Sequence, residues 1–282
     1  MKKLFPFVAL CMAFVALPSC DQKNEPEPIP ASFPKKHLIE EFTGQTCGYC
    51  PYGMDCIHDF IGNDTNYVLV LHHYGYQQYH ITVAGSKRIT NTLRVDGAPN
   101  MTINRTNTSY SEAGRSLNSV VFHPAYLSET DKSQFDNTTY ASVNIQNKYD
   151  ASSRELKINV SGALCKKDFP SLNLTVLIKE SGMIDLQADY SVSSGGWREF
   201  RHTNAVRAFL TDAKGDELIV DSTRHYIAKY SFTLNDDWVP ENCMVVAFLS
   251  EDFQPVIQAA QKPVVAGSKG GADILHGGIT SL

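Results

Sequence analysis

Cys47 and Cys50 stand three residues apart in Thr46-Cys47-Gly48-Tyr49-Cys50-Pro51, a C-x-x-C spacing. Two chemistries use that spacing, zinc ligation and dithiol–disulfide exchange. Zinc needs a second ligand pair, and no second C-x-x-C or finger-spaced His pair follows, so no metal is expected. Exchange needs one sulfur that attacks as a thiolate and a second that resolves the mixed disulfide. The flanks favour exchange. His37 to Phe42 reads as a strand, Thr43 to Thr46 as a short loop, and Tyr52 to Ile61 as a helix with Met54, Ile57 and Ile61 on one side. Cys47 then lies at a helix N-terminus, where free N–H groups and the dipole favour the thiolate. Pro51 fits a first helical turn, whose N–H has no helical partner.

The elements that must hold this loop come from a chain of 282 residues, 43% hydrophobic and 20% charged, with formal charge −5. That excludes a disordered or collagen-like chain and leaves room for one large domain or two medium ones. A mildly acidic balance makes a poor polyanion binder, so nucleic acid is not an expected partner. Lys2 and Lys3, the apolar run Leu4 to Leu17 and then Ser19-Cys20 read as a secretory leader, residues 1–19, with Cys20 as the lipidated first residue. Residues 20–36, with Pro26, Pro28, Pro30 and Pro34, read as a stiff tether. The expected location is therefore the cell envelope, at the outer membrane, lipid-anchored on its periplasmic or surface face.

In an oxidising compartment the remaining cysteines matter. Cys165 and Cys243 lie in strand-like segments and either pair as a structural disulfide or stay as buried thiols. Cys56 reads as a small core residue of the helix.

The strand, C-x-x-C loop and helix resemble the thioredoxin superfamily. Tyr67 to His72 supplies a buried strand at the expected distance, and Val83 to Leu93 a crossover helix. Val95 to Ile103 looks like the loop in which such proteins hold a cis-proline against the dithiol. The resemblance implies a cis Ala98–Pro99 bond and substrate pairing at the Ala98 backbone. It also implies that Glu41 is a buried carboxyl that takes the proton of Cys50, while Glu40 faces the other way. Gly48 and Tyr49 would tune the couple and touch the client; Gly-Tyr is similar to the pair in periplasmic disulfide isomerases. Thr46 stands where that superfamily usually has Trp. No cofactor is implied.

The longer string Glu40 to Gly53, with His202 to Arg207, Val245 to Phe248 and Val256 to Ala260, resembles the 28-kilodalton outer-membrane lipoprotein family of Gram-negative anaerobes. That resemblance implies location more strongly than activity. From Thr138 the pattern turns to alternation, with strands expected at Tyr140–Ile145, Glu155–Val160, Leu172–Ile178, Ala205–Leu210, Tyr226–Leu234 and Met244–Leu249. The fold class expected is α/β plus all-β: a thioredoxin-like domain over 37–130, an antiparallel, immunoglobulin-like β-sandwich over 131–268, and a Gly-rich tail over 269–282. His72 to His80 reads as a Tyr/His loop lining a substrate groove, and His202 with Trp197 as a corner that fixes a loop.

Two functions fit. One is a lipid-anchored thiol–disulfide oxidoreductase, reductase or isomerase, on protein disulfide or dithiol clients. The other is a surface binding protein or adhesin in which Cys47–Cys50 is a permanent bridge and the β-sandwich holds a surface ligand.

Overall fold

The computed structural model describes residues 28–74, 81–192 and 196–271. The leader, Cys20, most of the Tyr/His loop and most of the tail lie outside the described residues. Among the described residues the fold is mostly β, with two α-helices and several sheets. Among the described residues no helix is long and apolar enough to cross a membrane.

Strand β1 (His37–Thr43) is buried along its whole length, as befits a strand with neighbours on both edges and a helix on each face. It runs parallel to β2 (Tyr67–His73), register His37 to Tyr67, and antiparallel to β3 (Asn100–Ile103). Between β1 and β2 the chain forms α1 (Cys50–Ile61), whose buried Cys50, Met54, Ile57 and Phe60 pack on Ile39, Leu69, Leu71, Met101 and Ile103. The helix starts at Cys50, two residues earlier than the apolar periodicity placed it, because Pro51 sits in the first turn. It ends at Gly62, whose φ of +55° favours a residue without Cβ. Helix α2 (Ala84–Thr92) covers the opposite face through Ser86, Ile89 and Thr90. A Cβ on Gly85 would come within 2.3 Å of the Phe209 ring, so glycine permits that close approach.

The second half contributes β4 (Asn144–Asp150), β5 (Glu155–Ala163), β6 (Leu172–Glu180), β7 (Met183–Ala188), β8 (Trp197–His202), β9 (Ala205–Phe209), β10 (His225–Thr233), β11 (Cys243–Glu251) and β12 (Val256–Pro263). Sheet β10-β5-β4 faces β6, β11 and β12 over a core that includes Ile158, Val160, Val176, Val245 and Ala247. The strand expected from Tyr140 starts only at Asn144 and runs through Asp150, so its turn begins at Ala151. The β7–β8 hairpin was not expected at all.

Strands from residues 37–130 and from residues 131–268 share one eight-stranded sheet, whose order along the main path is β12-β11-β6-β9-β2-β1-β3. The join is narrow. β9 meets β2 in parallel at Ala205 opposite Leu71, and the Leu71 N–H donates to the Asn204 carbonyl at 2.8 Å. One apolar cluster then runs across it, from Leu38, Val68 and Val70 to Leu177, Val206, Val246 and Phe248.

Cys165 and Cys243 do not pair; both are free thiols. Cys165 donates its N–H to the Tyr140 carbonyl, and the Tyr140 hydroxyl reaches Glu251 at the far end of β11 from Cys243. Cys243 is the first residue of β11 and Glu251 its last, so the length of the strand lies between Cys243 and the end beside which Cys165 sits. Cys56 is half-buried rather than a core residue.

Candidate functional site

The loop from Gly44 to Tyr49 joins the C-terminal end of β1 to α1 and carries a Cys47–Cys50 disulfide. Its turns are closed by the Cys47 N–H donating to Gly44 O at 3.0 Å and the Cys50 N–H to Cys47 O at 3.3 Å. Burial distinguishes the two cysteines: Cys47 is partly buried, whereas Cys50 is fully buried in the core cluster under α1. Thr46 and Tyr49 are exposed on the rim.

The Ala98–Pro99 bond is cis. Pro99 packs against the first turn of α1, since a Cβ on Gly53 would lie 2.7 Å from the Pro99 Cβ. The same hypothetical Cβ would lie 3.4 Å from Glu41 Oε1, which puts Pro99, Gly53 and Glu41 in one contact group behind the disulfide loop. Glu41 is completely buried, and neither carboxyl oxygen has a hydrogen-bond partner among the described residues. Burial first, and the negative charge of Asp55 second, push its pKa well above the ordinary carboxyl value.

Four residues of the second half, Leu186, Gln187, Ala188 and Tyr190, form a strap over this loop. The Ala188 N–H donates to Gln45 O at 2.8 Å, and the Tyr190 N–H to Gly48 O at 3.0 Å. The Gln187 side-chain amide donates to Gly44 O at 3.1 Å and Cys47 O at 2.9 Å, and Gln45 returns a bond to Leu186 O at 2.9 Å. The Tyr190 ring meets Tyr49 edge-on at 4.9 Å and lies over Gly48, where any Cβ would stand 2.4 Å from it. Gly48 is therefore the residue that admits the strap. Its only sequence trace is the alternation of Met183 to Ala188, which marks a strand without saying what the strand touches.

Apolar surface gathers here. Of nine exposed large hydrophobics among the described residues, six lie on the disulfide loop, the first turn of α1 or the strap and its hairpin: Tyr49, Tyr52, Ile184, Leu186, Tyr190 and Trp197.

The histidines fall elsewhere than expected. His72 and His73 are the last residues of β2 and are buried, so neither lines an open groove. His72 lies between Glu40 Oε1 at 3.1 Å and Ser86 Oγ at 3.0 Å. His73 and His202 pack ring to ring at 5.5 Å, both buried. Burial drives the pKa of His202 down to about 4 and that of His73 well below its ordinary value, so both rings are neutral at pH 7. His202 is thus a core residue of β8 rather than a loop corner, while Trp197 at the other end of β8 is half exposed. Among the described residues no group of three or more His, Cys, Asp or Glu is placed to hold a metal ion.

The sequence profile of the family described as Outer membrane protein Omp28 matches residues 86–267, nearly two-thirds of the chain. Among solved structures, HBP35 of Porphyromonas gingivalis is similar in fold, with TM-score 0.63 at 22% identity over 83% of this chain and 76% of that one. A domain of the outer membrane lipoprotein Omp28 from Porphyromonas gingivalis aligns with TM-score 0.31 at 15% identity, over 45% of this chain and 88% of that one, too loosely to carry an argument. A search of curated proteins finds no match.

Proposed function

We propose that this chain, which belongs to the Omp28 outer membrane protein family and resides at the outer membrane, is a lipid-anchored thiol–disulfide oxidoreductase for protein clients. The family match begins at residue 86, downstream of both cysteines of the disulfide.

One observation carries it: a disulfide between a partly buried and a fully buried cysteine, set beside cis Pro99 and a buried Glu41 whose carboxyl has no hydrogen-bond partner among the described residues. With the parallel β1–α1–β2 unit, these parts favour a thioredoxin-like reading of residues 37–130, with residues 131–268 as a β-sandwich that spaces the site from the membrane. In the reduced protein the Cys47 thiolate attacks a client disulfide, forming a mixed disulfide and expelling one client thiolate. Cys50 then gives its proton to the Glu41 carboxylate and attacks the Cys47 sulfur. That step regenerates Cys47–Cys50 and releases the second client sulfur as a thiolate. A carboxyl whose pKa burial raises well above the ordinary carboxyl value is a better base for this transfer than an ordinary glutamate. The Ala98 backbone offers pairing to the client chain, and the six exposed apolar side chains around the loop suit a client segment with apolar residues near its cysteine.

A second reading has its own support. The strap from Gln187 to Tyr190 binds the disulfide loop by several hydrogen bonds, as it would if the bridge were permanent and the chain a surface binding protein.

The potential separates the two. The chain is equilibrated in graded glutathione buffers and the Cys47–Cys50 state read by alkylation and mass spectrometry. A midpoint between about −120 and −270 mV, the span of catalytic dithiols, is expected, with exchange abolished by Cys47→Ser. A pair still oxidised below about −300 mV overturns the oxidoreductase reading in favour of the binding protein.

A further inference from the structure

Lys179 is the strongest unexplained group in the molecule. It lies on β6 between Val206 of β9 and Met244 of β11, only 2% exposed. Its Nζ donates to Leu69 O at 2.7 Å and to Asn204 Oδ1 at 2.8 Å. Both acceptors are uncharged, and no carboxylate among the described residues makes an ion pair with it. Burial alone lowers its pKa to about 7, the behaviour of a desolvated lysine without a counter-ion. A neutral amine has two N–H donors and one lone pair. Here both donors are used, which leaves the lone pair as the unengaged valence of the nitrogen.

Leu69, Lys179 and Asn204 together line a cavity of about 650 Å³, within the range of small-molecule sites. It opens at the C-terminal end of α1, beside His58 and Gly62, whereas the disulfide lies at the N-terminal end of that helix. The other titratable groups on its wall are Lys36, His58, Asp59, Asp64 and Tyr67. Two carboxylates and the carbonyl end of α1 set the cavity against an anionic ligand.

We infer that this cavity is a binding site for a small neutral aldehyde or ketone that condenses with the Lys179 amine. The nitrogen lone pair forms a bond to the carbonyl carbon, and the carbonyl π electrons pass to oxygen, which is protonated. Loss of water, composed of that hydroxyl and a proton from nitrogen, gives the imine. No redox change is involved, and the site is independent of the disulfide. A desolvated lysine in a pocket is the kind that does this chemistry near neutral pH.

The test uses the full chain with limiting propanal and sodium cyanoborohydride at pH 7, which fixes any imine as a propyl-lysine, followed by peptide mass spectrometry. At that pH an ordinary lysine is neutral roughly once in a thousand or more, against about half the time for one with a pKa near 7. Lys179 is expected to be alkylated at least tenfold ahead of exposed Lys36, which lines the same cavity, and to lose that lead above about pH 10, where ordinary lysines are neutral as well. The same labelling in urea, where all lysines are equal, confirms that the Lys179 peptide is detected. Native protein labelled at Lys36 and other exposed lysines but not at Lys179 overturns the inference.

Discussion

Glu40 and Glu41 are adjacent in β1, and alternation sends them to opposite faces of one sheet. Both are buried. Glu40 receives the Arg105 guanidinium through Nε at 2.7 Å and Nη2 at 2.8 Å, and His72 Nε2 at 3.1 Å. Arg105 is itself held by Phe253 O at 3.1 Å and stacked at 4.3 Å from the Phe253 ring. Burial pushes the Glu40 pKa up, but the charge and hydrogen bonds of Arg105, with those of His72, outweigh it and bring it down to about 2. Glu41 has the burial without the cation, and its pKa moves the other way. The difference teaches that one strand can hold a permanently charged anchor and a carboxyl free to exchange its proton. The face alone decides which is which. The charged one locks α2 and the β11–β12 turn to β1; the other stands behind the disulfide.

The contrast breaks most violently at Arg105. Arg105→Met leaves the Glu40 charge buried with only His72 beside it, and the expected loss is about 3–5 kcal/mol in urea unfolding. Adding Glu40→Gln should recover much of that loss, because a neutral pair carries no uncompensated charge. A single variant within about 1 kcal/mol of the parent would mean that Glu40 does not depend on its cation.

Glu41→Gln sharpens the contrast through pH. A carboxyl with a raised folded pKa keeps its proton in the native state after the unfolded chain has lost its own. Stability therefore falls as pH rises above the ordinary value of 4.5, by about 1.4 kcal/mol per unit, until the folded pKa is passed. Glu40 has the opposite sign: its contribution is present above 4.5 and is lost as pH falls toward about 2. The buried His73, His202 and Lys179, whose pKa values are lowered, add stability as pH rises through the same range. The Glu41 contribution is therefore read as a difference in urea midpoints from pH 3 to 9: the stability of Glu41→Gln relative to the parent should grow as pH rises above 4.5, while the variant is slower in exchange. An unchanged slope would show that Glu41 ionises normally.

How much of this could be read from the chain follows from the range of each interaction. The strand, loop, C-x-x-C and helix are local, so periodicity and turn residues revealed them; apolar periodicity alone started the helix at Tyr52, two residues late, while Pro51 was rightly read as part of a first turn. That Glu40 and Glu41 face apart follows from the period of two. Which one meets a cation does not, because Arg105 lies 65 positions downstream. The strap is more distant still: Gln187 reaches Gly44 across 143 positions, through a hairpin whose pattern names no partner. The join of β9 to β2 rests on a single register pair, Ala205 with Leu71, and two strands of unremarkable composition give no hint of it. Cys165 and Cys243 were open to pairing on compartment chemistry alone; only the fold, which puts Cys243 at the start of β11 and Cys165 beside Tyr140 near that strand's other end, keeps them apart.

The smallest expected effect tests whether the Glu40 face depends on complete pairing. Ser86 on α2 is buried and meets His72 Nδ1 at 3.0 Å, so His72 is engaged at both ring nitrogens. Ser86→Ala strands a buried ring nitrogen, a cost of about 1–3 kcal/mol. Alanine's better helix propensity offsets a few tenths of that in α2. The net loss expected in urea unfolding is about 1 kcal/mol, with no change in the Cys47–Cys50 potential. The His73–His202 pair on the Glu41 face already lacks any side-chain hydrogen-bond partner among the described residues. If Ser86→Ala were neutral, the two faces would tolerate unpaired imidazole alike, and the division between a fully paired anchor and an unpaired proton-exchanging side would rest on Arg105 alone.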